Sequence, residues 1–216
     1  MEPTALEWMW RRSRAIPELL HVVELGSVPW QALIRDGIAR RVWGDVAIGA
    51  DVPETPGIRA TAVRPLVPTR GVVGRAAAVW VHTGGSRPGR IDVLVAPRAR
   101  RPDPHPLRVP HECVLPGSHI LVLGALRVTT VVRTAVDVAR WSAPHDAGVL
   151  LERLVRYAAL DPDEALVLLD GLPGHRGTRG AHNALVALAR GDVQASPNLR
   201  PSAPCSRCAR NPPANR

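Results

Sequence analysis

The sequence predicts an α+β protein in which a small winged helix-turn-helix precedes a mixed strand–helix domain and a disordered C-terminal tail. Three observations carry this prediction. Between residues 14 and 52, two helical patterns lead into a pair of β-type runs. Strand and helix patterns then alternate over residues 73–194, whereas residues 195–216 are basic and rich in Pro, Ser and Asn. Residues 1–13 are assigned to an N-terminal extension, and residues 53–72 to a linker.

The composition bounds the core and the class of partner. Hydrophobic residues make up 45% of the 216, but Phe is absent, so the core must use Val, Leu, Ala and the six Trp. All 28 cationic residues are arginines, and the net charge of +9 favours an anionic partner, with nucleic acid first. Residues 1–72 hold 9 arginines and 8 acids, and residues 73–143 hold 10 arginines and 4 acids.

Several classes of protein are disfavoured by the same composition. Three cysteines in a chain of this length do not form a disulfide framework, which favours a reducing compartment. The first 14 residues hold acids and a late Arg cluster instead of an apolar core, unlike a signal peptide. No run approaches the length of a membrane span, so we expect a cytoplasmic protein without a membrane partner.

The predicted winged helix-turn-helix is built from two helices and a hairpin. The first helix, Ile16–Leu25, has apolar residues at helical spacing and ends before Gly26. Ser27 can cap the second helix, Pro29–Asp36, in which Pro29 falls in the first turn. Residues 38–48 then read as two strands around a Gly44-Asp45 turn.

Four residues of this segment are candidate DNA contacts. Gln31 and Arg35 are four residues apart and share the outward face of the second helix, where they could reach base edges in the major groove. Arg40 and Arg41 open the hairpin and could contact phosphates. The alternative interpretation is a helix pair and hairpin whose arginines lie on a solvent-exposed face and bind no DNA.

In the middle of the chain, the sequence predicts loops and strands on either side of one helix. Four prolines between residues 49 and 72 indicate looped or extended chain, with one strand over Arg59–Val63. A small-residue helix is expected over Val73–Val81, and a strand over Arg90–Pro97. His111-Glu112-Cys113 lacks the ligand spacing of a zinc site and reads as strand, so no metal or other cofactor is predicted.

Residues 126–140, LRVTTVVRTAVDVAR, form the most informative stretch. The apolar run His119–Leu123, a Gly124-Ala125 turn and Leu126–Val128 predict a hairpin. Thr129 is expected to cap the helix that follows. Arg133 and Asp137, four residues apart on that helix, are expected to pair. These three polar residues are structural candidates, and the stretch shows no catalytic constellation.

The remaining chain predicts three more helices. They cover Asp146–Leu160, Asp161–Asp170 and about Ala181–Arg190, and the second begins with a capping Asp and a first-turn Pro. The Gly-rich loop before the last helix does not follow a strand, which disfavours a phosphate-binding loop. Cys205 and Cys208 have the spacing of half a zinc site, but no second pair is present in the sequence.

The stretch at residues 126–140 also carries a family resemblance. It resembles GLRVTSPARTVVDLAR, a signature of actinobacterial AbiEi-type antitoxins, with matches that include Arg127, Thr129, Arg133, Asp137 and Arg140. Residues 14–194 resemble that family more loosely. The resemblance implies a DNA-binding antitoxin that is not an enzyme. Its winged helix would repress its own operon, and residues 73–194 would neutralise a nucleotidyltransferase-type toxin.

Two other functions stay open at this point. One is a remnant of a restriction-like endonuclease, a class that needs clustered carboxylates and usually a Lys. This chain has no Lys, and Asp92 has no evident acidic partner in the sequence. The other is a protein-binding module without DNA affinity, which the nearly balanced charge of residues 1–72 favours.

Overall fold

The computed structural model describes residues 19–99, 102–172 and 176–192. The predicted N-terminal extension, the disordered tail and the Cys205/Cys208 pair lie outside these residues. The described chain is a mixed α and β structure, as the sequence predicts. Its helices are α1 Val22–Leu25, α2 Ser27–Arg35, α3 Pro56–Val63, α4 Arg75–Thr83, α5 Val131–Trp141, α6 Pro144–Ala158, α7 Pro162–Asp170 and α8 Thr178–Ala189. Its strands are β1 Leu20–His21, β2 Ala39–Trp43, β3 Val46–Gly49, β4 Val72–Val73, β5 Ile91–Val95, β6 Arg108–Glu112, β7 Ile120–Leu123 and β8 Leu126–Thr129.

The first sheet has three antiparallel strands in the order β1-β3-β2. The predicted hairpin is confirmed as β2 and β3. The predicted helix over Ile16–Leu25 is confirmed only for Val22–Leu25, because Leu20 and His21 extend and pair with Ala47 and Val46 of β3. Only the four residues of α1 are helical there, and Gly26, with φ of 82°, separates them from α2.

The predicted linker contains an ordered helix. Arg59–Val63 was expected to form a strand, but it lies in α3, which begins at Pro56. The Thr55 side chain accepts a hydrogen bond from the amide of Ile58, at 3.2 Å, and Pro56 occupies the first turn. This Thr-Pro start is a recognised helix signal, which the density of prolines in the segment obscures.

The second sheet has five strands in the order β6-β5-β4-β8-β7. Strand β4 pairs antiparallel with β5 and parallel with β8, and the predicted hairpin of β7 and β8 is confirmed. The predicted strand around His111 is also confirmed, parallel to β5. The helix expected from Val73 starts instead at Arg75, because Val73 belongs to β4 and Gly74 caps α4.

Helix α4 connects the two larger hydrophobic clusters. Trp80 and Val81 belong to a cluster with the first hairpin, α3 and the five-stranded sheet. Val79 belongs to a second cluster, formed mainly by α5–α8. The predicted C-terminal helices are thus confirmed with shifted ends: α6 starts at Pro144 and α8 at Thr178. None of the helices in the described ranges is long and apolar enough to cross a membrane.

Candidate nucleic-acid interface

Helix α2 is anchored to the first sheet by one buried aromatic side chain. Trp30 is 1% exposed and packs against Ala39 of β2 and Ala47 of β3. A helix fixed by one wide side chain leaves its opposite face to solvent. Gln31 and Arg35 are exposed, as expected for the outward face.

Arg35 is paired only at the surface. Its Nε lies 2.8 Å from Oδ1 of the neighbouring Asp36, and the two side chains are 76% and 47% exposed. An exposed pair of this kind contributes roughly 0–1 kcal/mol and is screened by salt. The Arg35 guanidinium can therefore exchange Asp36 for another anion at little cost.

The two arginines of β2 differ in their partners. Arg40 donates from Nη1 to Oε2 of Glu54 and from Nη2 to the carbonyl of Val52, both at 2.8 Å. Arg41 is exposed, and its guanidinium carbon lies 6.0 Å from the centroid of the Trp30 ring. Of the two predicted phosphate contacts, Arg40 is thus half-buried and bonded to Glu54 and Val52, whereas Arg41 lies exposed beside the anchor of α2.

Two of the three predicted structural residues of the central stretch, Arg133 and Asp137, lie in one buried network. Nε of Arg133 donates to Oδ1 of Asp137 at 3.0 Å, which confirms the predicted pair, and both side chains are almost fully buried. Nη1 of Arg133 donates to Nδ1 of His119, and Nη2 donates to Sγ of Cys113, each at 3.1 Å. Arg133 therefore ties α5 to the segment that connects β6 to β7.

The predicted cap of α5 is wrong by one residue. Thr130 is the N-cap, and its side chain accepts from the amide of Arg133 at 3.3 Å. Thr129 ends β8, and its hydroxyl shares a 2.6 Å hydrogen bond with that of Thr134. The strand runs one residue further than expected, so the second Thr of the pair takes the capping position.

Burial controls the protonation of Asp137. Loss of solvent raises the pKa of the Asp137 carboxyl above its ordinary value, and the charge and hydrogen bond of Arg133 oppose that rise. Oδ2 of this carboxylate is buried without a hydrogen-bond partner among the described residues. The pair is thus costly to hold in the interior, and its geometry indicates a structural role.

A second buried arginine, Arg59, was missed by sequence reasoning. It donates to the carbonyls of Val81 and His82 at the end of α4, at 2.9 and 3.2 Å, and to the carbonyl of Glu54 at 3.1 Å. His82 is also buried, and its Nε2 donates to the carbonyl of Thr129 at 2.8 Å. Sequence reasoning missed Arg59 because it predicted a strand over Arg59–Val63. The residue lies instead in helix α3, which brings its side chain to the end of α4.

Sequence reasoning also missed a cluster of cations around one aromatic ring. The guanidinium carbons of Arg75, Arg140 and Arg176 lie 5.3, 5.2 and 5.7 Å from the centroid of the Trp141 ring. Arg75 and Arg176 come from elements far apart in the chain, so no local spacing marks the cluster.

Asp92, the residue on which an endonuclease would depend, is engaged by a histidine. Its Oδ1 lies 2.7 Å from Nε2 of His111 on the neighbouring strand β6. Within the described ranges, no three His, Cys, Asp or Glu side chains are grouped so that they could hold a metal ion.

Comparison with known proteins gives little further guidance. No family model matches the chain, and no curated protein matches it. Among solved structures it is similar to the crystal structure of RV2827C protein from Mycobacterium tuberculosis, with 17% sequence identity and a TM-score of 0.40. The match covers 88% of this chain and 78% of that chain. A likeness at this level establishes neither the fold nor the function.

Proposed function

We propose that this chain is a DNA-binding transcriptional regulator that contacts DNA through helix α2 and strand β2. The observation that carries the proposal is the position of Arg41 beside Trp30, the residue that anchors α2. Gln31 and Arg35 are exposed on that same helix. A helix with donors on its outer face and a strand cation beside it matches what a winged helix-turn-helix presents to a groove and its phosphates.

Each residue takes a distinct role in this proposal. Gln31 and Arg35 read base edges, since an amide and a guanidinium form paired hydrogen bonds with adenine and guanine. Arg41 contacts a phosphate. Arg40 has a structural role in this proposal, because its guanidinium is already bonded to Glu54 and Val52.

The wider role follows from the resemblance to AbiEi-type antitoxins. Under that resemblance the DNA would be the operator of the chain's own operon, and residues 73–194 would bind a nucleotidyltransferase-type toxin. A nucleotidyltransferase gene next to this one would support the antitoxin role. Its absence would leave a regulator without a toxin.

A second candidate, a protein-binding face, is favoured by two exposed valines. Val23 of α1 and Val28 of α2 are 86% and 79% exposed, although valine is a residue that usually lies inside. A partner protein that covered them would contact α2, which the DNA proposal also uses, so the two functions are separated by experiment.

The test is a titration of the full-length protein with two labelled duplexes, one from the DNA upstream of the gene and one of random sequence. The wild type is expected to prefer the upstream duplex. Arg35→Ala should lose about 1–3 kcal/mol of that preference through one base position. The matched control is Arg156→Ala, which removes an exposed arginine from α6, outside the proposed surface.

The outcomes separate the two candidates. Loss of preference in Arg35→Ala, with Arg156→Ala unchanged, supports base reading by α2. If the wild type binds neither duplex at low salt, DNA binding is wrong and the protein-binding face takes its place.

A further inference from the structure

The pocket around Trp141 is formed by residues that the proposed DNA surface does not use. Arg75 opens α4, Trp141 ends α5, and Arg176 precedes α8. The pocket also contacts Val95 at the end of β5 and residues 110–112 of β6, and its volume is about 490 Å³. That volume lies within the range of roughly 300–1,000 Å³ typical of small-molecule sites.

Three positive charges surround the Trp141 ring, and two of them, Arg75 and Arg176, also line the pocket. The guanidinium carbons of Arg75, Arg140 and Arg176 all lie within 5.7 Å of the Trp141 ring centroid. Like charges gathered around one ring repel one another, and a screening length of about 10 Å in 0.1 M salt removes only part of that repulsion. An anion that enters the pocket relieves this repulsion.

The three arginines differ in how many donors they have free. Arg140 donates from Nε and Nη2 to the carbonyl of Arg176, at 3.2 and 3.0 Å. These bonds hold the loop and occupy the two Arg140 donors that could otherwise bind a ligand in parallel. In contrast, the guanidiniums of Arg75 and Arg176 make no hydrogen bond or ion pair with any residue in the described ranges. Both line the pocket, so their donors are available to a ligand.

The backbone supports this arrangement at two positions. Arg75 has φ of 51°, a left-handed conformation that is uncommon for a residue with a side chain and is found more often at functional sites. Gly177 has φ of 73°, and a Cβ there would lie 2.6 Å from the carbonyl oxygen of Arg140. The loop can therefore approach α5 this closely only with glycine at position 177, and this approach holds Arg176 next to Trp141.

The acids near the pocket are engaged elsewhere. Asp92 is bonded to His111, and Asp137 is bonded to Arg133. Glu112 lines the pocket and contributes one negative charge, against the two cations Arg75 and Arg176 that also line it. Burial lowers the pKa of Arg75, with the nearby acids opposing the shift, and arginine remains charged at neutral pH.

We propose that this pocket binds a nucleotide unit, with its phosphate on Arg75 and Arg176 and its base against Trp141 and the apolar wall of Val95 and Pro110. Guanidinium groups bind phosphate through two parallel hydrogen bonds, and bases stack on aromatic side chains. The pocket is larger than a lone phosphate requires, and its apolar wall gives a base a surface to cover. The same unit could be a free mononucleotide or the phosphorylated end of a single strand.

The experiment is calorimetric titration of the full-length protein with five probes. These are adenosine 5′-monophosphate, adenosine, inorganic phosphate, and a short single-stranded oligonucleotide both with and without a 5′-phosphate. The monophosphate should bind at least about tenfold more tightly than adenosine or phosphate alone, because it makes both contacts. If the 5′-phosphorylated oligonucleotide binds as tightly as the monophosphate, a strand end is the ligand. If the monophosphate binds and neither oligonucleotide does, the ligand is a free nucleotide.

Two variants and a control test the residues. Arg176→Gln lies in an exposed loop and leaves the Arg176 carbonyl, which Arg140 holds, in place. It should weaken the monophosphate about tenfold, as should Arg75→Gln. Arg156→Gln, which removes an exposed arginine beside Tyr157 on α6, should stay within about twofold of the wild type.

The proposal is overturned if no probe binds the wild type, or if the monophosphate binds Arg176→Gln and Arg75→Gln as tightly as the wild type. Weakening by Arg156→Gln equal to that of the two pocket variants would also overturn it, since it would indicate attraction by net charge alone. No probe is a duplex, so failure here is distinct from failure of DNA binding by α2 and β2.

Discussion

The arginines of the interior and those exposed on α2 and β2 differ in how firmly they are held by other residues. Arg59 and Arg133 are buried, and each is held by at least three hydrogen bonds, two or more of them to partners on other segments. Arg35 and Arg41 are exposed, and the acidic partner of Arg35 is itself half exposed. The net charge of +9 therefore overstates how many cations can meet a ligand.

This difference shows how to separate structural from binding roles in a chain whose cations are all arginine. A buried guanidinium without its partner costs several kcal/mol, so its bonds are kept. An exposed one gains little from an exposed acid and can exchange it for a ligand. The degree of burial of each pair, more than its distance, thus decides its role.

The largest expected effect is on the buried pair. Asp137→Ala should lower the free energy of unfolding by roughly 3 kcal/mol, because Arg133 keeps a buried charge without its acidic partner. Its exposed counterpart, Asp36→Ala, should change stability by less than about 0.5 kcal/mol. Urea unfolding of both variants, followed by circular dichroism, measures the two values. If Asp137→Ala and Asp36→Ala lower the free energy of unfolding equally, buried and exposed arginine pairs do not differ in their contribution to stability.

A double variant sharpens the same comparison. Arg133→Met with Asp137→Leu replaces the buried pair by apolar groups of similar size, and it should be more stable than Asp137→Ala alone. A double variant less stable than the single one would show that the bonds from Arg133 to His119 and Cys113 contribute more than the ion pair.

A smaller effect is expected on the pH dependence of stability. Burial lowers the pKa of His82, the hydrogen bond to Thr129 opposes this, and the charge of Arg59 lowers it further. Below the ordinary value of 6.5 the unfolded chain takes up a proton before the folded protein does, so stability falls as the pH falls.

The test compares His82→Gln with the wild type between pH 7.5 and 4.5, a window set roughly by the ordinary histidine pKa. The variant should lose less stability on acidification, and an exposed control, His145→Gln, should keep the wild-type decline. A His82→Gln profile parallel to that of the wild type would show that protonation of His82 does not contribute to the acid sensitivity.

Elements with a clear local pattern were predictable from the sequence. The hairpin of β7 and β8, the strand at Ile91–Val95 and the Asp161 cap each depend on neighbouring residues, and all are confirmed. The pair of Arg133 and Asp137 follows from helical spacing alone, although its depth of burial does not. Local rules specify contacts within an element well.

Features that depend on distant contacts were not predictable. Leu20 and His21 carry a helical pattern, but pairing with β3 draws them into a strand. Arg40 looks like Arg41 in sequence, and only the return of the chain at Val52 and Glu54 engages it. The pocket around Trp141 joins Arg75 with Arg176, about a hundred residues apart.

The most direct test of the central claim compares Arg41→Gln with Arg40→Gln in DNA titrations at several salt concentrations. If Arg41 binds a phosphate and Arg40 stays bonded to Glu54 and Val52, Arg41→Gln should flatten the slope of log K against log salt by about 0.9. Arg40→Gln should bind with the wild-type slope. Equal slopes for Arg41→Gln and the wild type, or a slope flattened by Arg40→Gln instead, would contradict the assignment of the exposed arginine to DNA.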